Sequence, residues 1–130
     1  MFVATSRAIR VTVVPQYLPD QSEPSKSQFV WAYTVRIENT GDVAVQLRSR
    51  HWKITDGLGR LQEVKGPGVV GKTPLLRPGE MFEYTSGTPL STPSGFMGGT
   101  YQMVSESGER FDIEIPTFSL DTPGSKRQLN

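Results

Sequence analysis

Apolar and polar residues alternate with a period of two along most of this chain, and a helical period is hard to find. Phe29–Glu38 is the clearest stretch: Phe29, Trp31, Tyr33, Val35 and Ile37 share one face, with Arg36 and Glu38 on the other. Successive side chains of a strand point to opposite faces, so this is the pattern of a strand with one face in a core. Arg7–Tyr17 repeats it, with Ile9, Val11, Val13 and Tyr17 on one side. Val43–Thr55 starts with Val43, Val45 and Leu47 inward and then changes parity to Trp52 and Ile54. A one-residue slip inside a continuous strand is what a β-bulge produces, and the pattern places it around Ser49–His51. Leu61–Lys65, Met81–Ser86, Met97–Ser105 and Arg110–Ile115 complete a predicted set of about seven or eight strands.

The connections carry matching turn chemistry. Asn39-Thr40-Gly41-Asp42, Asp56-Gly57-Leu58-Gly59 and Ser105-Glu106-Ser107-Gly108-Glu109 each supply polar side chains and a glycine able to take positive φ. With thirteen Gly and ten Pro and no amphipathic helix, the expectation is all-β: an antiparallel two-sheet sandwich, or a barrel, rather than an α/β fold. Prolines 15, 74, 78, 89, 93 and 116 are expected at strand ends or in loops. Leu18–Ser27 reads as a polar loop and Thr122–Asn130 as a disordered polar tail, leaving one domain over residues 1–121.

Size and composition bound the chemistry. A chain of 130 residues can bury enough apolar surface in one core to need no covalent staple. It contains no cysteine, which removes disulfides, thiolate metal sites and thiol catalysis together. Met1–Arg10 lacks the apolar run of a secretory signal, and Phe29–Tyr33 is far too short to span a membrane, so a cytoplasmic location is expected. The net charge of +1 hides an asymmetry. Arg48, Arg50, Lys53, Arg60, Lys65, Lys72 and Arg77 meet only Asp56 and Glu63, whereas Glu80, Glu83, Glu106, Glu109, Asp112, Glu114 and Asp121 meet only Arg110. Either the two blocks neutralise each other as neighbouring strands, or one side of the molecule attracts anions.

Among local motifs, Gly66-Pro-Gly-Val-Val-Gly71 matches G-x-G-x-x-G, and with Lys72-Thr73 it also satisfies the literal phosphate-loop pattern. Both motifs need a following helix to aim amides and dipole at phosphate, and Pro74 and Pro78 forbid one. What survives is a candidate anion-binding loop of Lys65, Gly66, Gly68, Gly71, Lys72 and Thr73, able to take phosphate or pyrophosphate; the plainer account is a structural corner. His51 is the single histidine, too few for a histidine metal site, and no G-x-S-x-G elbow accompanies it. No metal ligand set, cofactor motif or catalytic residue is assigned. Arg48, Arg50 and Lys53 beside Trp52 hint at nucleic acid, but Trp52 alternates with Ile54 as a core residue does. A non-enzymatic binding module, for an unknown protein partner or a small anion, is therefore expected. The alternative is an enzyme on a phosphorylated, nucleotide-like substrate, with His51, Asp56 and Glu63 nearest the loop in sequence.

The chain resembles the ApaG family over nearly its whole length. The resemblance rests on His51-Trp-Lys-Ile-Thr-Asp-Gly57, Glu63-Val-Lys-Gly-Pro-Gly-Val-Val-Gly71, Leu76-Arg-Pro-Gly-Glu80, Phe82-Glu-Tyr-Thr-Ser86, Pro89-Leu-Ser-Thr92 and Gly95-Phe-Met-Gly-Gly-Thr-Tyr101. It implies an immunoglobulin- or fibronectin type III-like sandwich and a binding role, and it associates the chain with cobalt and magnesium resistance. It brings no catalytic residues. A protein without a spanning segment is not itself a transporter, so any effect on metal homeostasis would be indirect.

Overall fold

The alternation is realised as burial. In the computed structural model, which describes residues 1–123, Phe29, Trp31, Tyr33, Val35, Ile37 and Asn39 of one strand are all buried. Nine strands lie among the described residues: β1 (Phe2–Ser6), β2 (Ile9–Tyr17), β3 (Phe29–Asn39), β4 (Val45–Asp56), β5 (Leu61–Pro67), β6 (Leu75–Leu76), β7 (Met81–Leu90), β8 (Ser94–Ser105) and β9 (Arg110–Asp121). The polar loop between β2 and β3 is folded into two short 3-10 turns, Pro19–Gln21 and Pro24–Lys26. The fold is an antiparallel two-sheet β-sandwich.

One sheet runs β1-β2-β3-β7 and the other β5-β4-β8-β9, with β6 also paired to β4. Because β8 takes one flank of β4 throughout, β5 and β6 share the other: β5 pairs Ser49–Thr55 and β6 pairs Val45 and Gln46. The inner faces meet around Trp52, whose ring lies 5.2 Å from Tyr33, 6.1 Å from Phe118 and 6.3 Å from Tyr101, edge-on in each case. Such contacts add to the burial of large rings, which dominates a core of this size. The two long sides of the sandwich differ. On one, β9 packs on β1 and β2, and the Glu114 N–H donates to Ser6 Oγ at 3.0 Å. On the other, the free edges are β7 and β5–β6.

Several expectations change in detail. Arg7 and Ala8 are not strand: with φ of 51° and 64° they form a two-residue turn that adds β1 in front of β2. Neither residue type signals that conformation. Val43 lies outside the strand and is 46% exposed, because the buried Asn39 amide donates to the carbonyls of Val43 and Leu76 and holds the preceding turn. The bulge sits at Arg48, between Leu47 and Ser49, one residue ahead of the range expected from parity. A second irregularity between Met97 and Gly99 leaves Pro116 and Thr117 opposite Gly98. Pro15, Pro89 and Pro116 lie inside strands, not at their ends. Each nevertheless avoids a ladder donor: Pro15 lies beyond the reach of β1, Pro89 is on an edge strand and Pro116 is in the irregular stretch. Thr122 donates to the Pro93 carbonyl at 2.6 Å, and the rest of the expected tail, from residue 124, lies outside the described residues.

Candidate functional site

The glycine string is built into the edge of the second sheet. Gly66 is a strand residue opposite Arg50, and a Cβ there would stand 3.1 Å from Arg50 Nη1. Its absence lets the guanidinium lie across β5 and donate to the carbonyls of Pro67 and Gly68, both at 2.9 Å. Gly68 has φ +61° and donates its N–H to the Arg48 carbonyl at 2.9 Å; a Cβ would meet the Lys72 carbonyl oxygen at 2.4 Å. Val69 and Lys72 then exchange both backbone hydrogen bonds, at 2.8 and 2.9 Å, around Val70 (φ 44°) and Gly71 (φ 78°). Two left-handed residues inside such a pair make a type I′ turn. Val69 is buried in the core, while Val70 is exposed at the tip.

This geometry divides the six predicted residues. Gly71, Lys72 and the free amides of Val70 and Gly71 are at the tip. Gly66 and Gly68 stand under the turn, the Gly68 amide already bonded. Thr73 is exposed and its carbonyl accepts from Gln46 Nε2 at 3.1 Å. Lys65, in register with His51, stands on the outer face of the sheet and not at the tip. His51 is bound there, its Nε2 2.7 Å from Glu63 Oε1, and that contact is the main cause of a lowered Glu63 pKa. Trp52 is core, as its alternation predicts. Among the described residues no group of three His, Cys, Asp or Glu side chains is placed to hold a metal ion, and no helix is long and apolar enough to cross a membrane.

The feature that alternation does not reveal is Arg50. The bulge at Arg48 turns it toward the sandwich interior, in register with Tyr101 and on the Trp52–Ile54 face. There it faces a phenol cluster: the Tyr84 and Tyr101 hydroxyls are hydrogen-bonded at 2.5 Å, and Tyr33 is in register with Ser86. Burial pushes all three phenols above the ordinary tyrosine range, and the Arg50 charge acts in the opposite sense on each. Arg50 itself has carbonyl partners but, among the described residues, no carboxylate within salt-bridge distance. Among the described residues Arg48, Lys53, Lys65 and Lys72 likewise have no carboxylate within salt-bridge distance, although Lys53 and Lys65 flank Glu63; Arg60 and Arg77 pair with Asp56 and Glu80, and His51 with Glu63. The basic and acidic blocks therefore do not neutralise one another strand against strand.

Around Arg50 the open side carries two depressions. One lies between Leu75, Leu76, Met81 and Phe82, with Lys72 on its rim; the other lies between Leu61, Pro89 and Leu90 on one hand and Asp56, Arg60 and Gln62 on the other. Leu61, Val70, Leu75 and Met81, all on this side, are each about half exposed (57, 53, 49 and 48%). A separate concavity of about 430 Å³, between Arg48, Gln102, Arg110 and Asp112, opens on the outer face of the second sheet.

Comparison with known proteins identifies a family. A family model described as ApaG domain matches residues 19–105. Proteins named ApaG from Rhodospirillum centenum and Paramagnetospirillum magneticum are 62% and 63% identical over 130 residues, covering the whole of both chains in each case. The crystal structure of the ApaA protein from Bordetella pertussis superposes with a TM-score of 0.87 at 57% identity, covering 90% of this chain and 95% of that one. The X-ray structure of a structural genomics target also gives 0.87, at 46% identity and with 98% and 96% covered.

Proposed function

Since this chain belongs to the ApaG domain family, we propose that it works as a binding module, engaging a protein partner along the open side of the sandwich. The observation that carries this reading is the open side itself. A ten-residue edge strand, β7, faces a second free edge across half-exposed apolar residues and an arginine without a counter-charge. Long bare edges invite pairing with another chain, and proteins normally blunt them. The domain acts in the cytoplasm, and any influence on cobalt or magnesium homeostasis runs through the partner. The test is a photo-crosslinking amino acid placed at Thr85 or Leu75 in the living cell, with Val14 on β2, away from the open side, as control. A discrete protein adduct is expected from the first two positions only. Adducts of equal yield at Val14, or none anywhere, overturn the reading.

A second reading rests on the unbonded amides of Val70 and Gly71 beside Lys72. Phosphate or pyrophosphate would be held at the tip of the turn, within the Lys65–Thr73 loop. Titration with either anion should then move the amide resonances of Gly71 and Lys72 most and that of Gly66 least. Unmoved resonances at millimolar anion remove this reading. Catalysis is not part of either, since the His51–Glu63 pair stands on the outer face of the second sheet and not at the tip of the turn. No turnover of nucleotides or dinucleoside polyphosphates is expected, with or without magnesium.

A further inference from the structure

The backbone of β7 determines what kind of partner fits. The Asn39 N–H donates to the Glu80 carbonyl, so the hydrogen-bonding positions of β3 toward β7 are Asn39 and every second residue before it. The Leu18 N–H donates to the Val30 carbonyl, which gives the same phase from the other flank of β3. Through the β3–β7 register, Phe82, Tyr84, Ser86, Thr88 and Leu90 turn their backbone groups toward β3. Met81, Glu83, Thr85, Gly87 and Pro89 turn theirs outward. Pro89, with no N–H, stands at an outward position, as this phase requires.

We propose that β7 accepts an extended, acidic segment of the partner as an added strand, and that Arg50 reads an acidic side chain of that segment. This rests on the protein-binding reading above and names its ligand class. A strand hydrogen-bonded to Glu83, Thr85 and Gly87 continues the first sheet across the open side. Its alternate side chains then point inward, beside those of Phe82, Tyr84, Ser86, Thr88 and Leu90. The residues opposite Tyr84 and Ser86 stand beside the Tyr84 hydroxyl, which is bonded to the hydroxyl of Tyr101, the register partner of Arg50. A partly buried guanidinium with carbonyl partners but no carboxylate favours an incoming Asp or Glu there. The residue opposite Phe82 falls on the depression with Leu75, Leu76 and Met81, and the residue opposite Leu90 on the one where Leu61 and Leu90 lie beside Asp56, Arg60 and Gln62, so each depression offers leucine side chains to an apolar residue. The recognised segment therefore carries apolar residues eight positions apart with an acidic residue between them.

The probe is an end-capped nonapeptide with leucine at both ends, glutamate at its centre and threonine or valine elsewhere. Its symmetry makes strand direction immaterial. Added to the isotope-labelled full chain, it should slow hydrogen exchange of the Glu83, Thr85 and Gly87 amides and leave those of Phe82 and Tyr84 unchanged. Replacing the central glutamate by glutamine should weaken binding about five-fold or more. Thr85→Pro removes an outward N–H without touching the β3 ladder, and should abolish binding while the β3 amides stay protected. Arg50→Gln should erase the preference for glutamate over glutamine. Equal affinity of the two peptides for the native chain overturns the proposal without any variant having to fold. So does concentration-dependent protection of the same three amides in the free protein, which would make a second copy the occupant. A crosslinked partner at Thr85 with no peptide binding leaves the protein-binding reading standing and removes this one.

Discussion

Val70 is the most strained residue at the tip of the glycine turn. A β-branched side chain at φ 44° is disfavoured, and at 53% exposure little packing compensates. Val70→Asn should raise stability by about 1 kcal/mol, the lower end of the usual left-handed penalty, read as a shift in urea midpoint at constant slope. Gly68 is the opposite case. Gly68→Ala adds a Cβ 2.4 Å from a backbone oxygen and imposes positive φ on alanine, so a loss of about 2 kcal/mol or more is expected. The Tyr84–Tyr101 hydroxyl pair calls for a cycle: Tyr84→Phe leaves the buried Tyr101 hydroxyl unpaired and should cost about 1–3 kcal/mol, whereas the double phenylalanine variant should recover most of it.

Strand β3 carries the largest inward side chains of the first sheet. Trp31 is 1% exposed and its Nε1 donates to the Asp121 carbonyl at 2.9 Å, tying the start of β3 to the end of β9. Trp31→Ala should cost about 3–5 kcal/mol in denaturant unfolding. The β4–β5 turn depends instead on charge. The Asp56 carboxylate accepts from the Leu58 and Arg60 amides and from Arg60 Nε, and these bonds, led by the Arg60 amide, hold its pKa below the ordinary value. A depressed folded-state pKa contributes stability that is complete above the unfolded value, about 3.9, and is lost as pH falls through the folded one. Asp56→Asn should therefore lower Tm at neutral pH, and the gap from the native chain should narrow in acid below that range.

The sandwich as a whole is asymmetric between its two long sides. The β1–β2 hairpin and β9 close one side, and among the described residues nothing comparable covers β7 on the other. Cations outnumber carboxylates on β4, β5 and the turn that follows, where Glu63 serves His51, Lys53 and Lys65 together, so the open side and the adjoining face of the second sheet are expected to attract acidic surfaces with salt-dependent affinity. Ionic strength should weaken the nonapeptide chiefly through the Arg50 contact. Thr85→Pro should leave that salt dependence nothing to act on.

How much of this was legible beforehand follows from what is local. The faces of β2, β3 and the second half of β4, the burial of Trp52 and the existence of a bulge could all be read from alternation, because a strand's period of two is fixed by its own backbone. The two-residue turn at Arg7–Ala8 carried no such signal, and neither did the release of Val43 by a buried amide four residues earlier. The candidate loop was visible as a glycine string, but its meaning was not. Gly66 and Gly68 make room for a guanidinium and a carbonyl far away along the chain or across the turn. Which strands end as edges, and where Arg50 points once the bulge has turned it, depend on pairing between segments that are distant in sequence. Those pairings are set by non-local packing, so a pattern read one residue after another can mark the strands but cannot say which of them is left open to a partner.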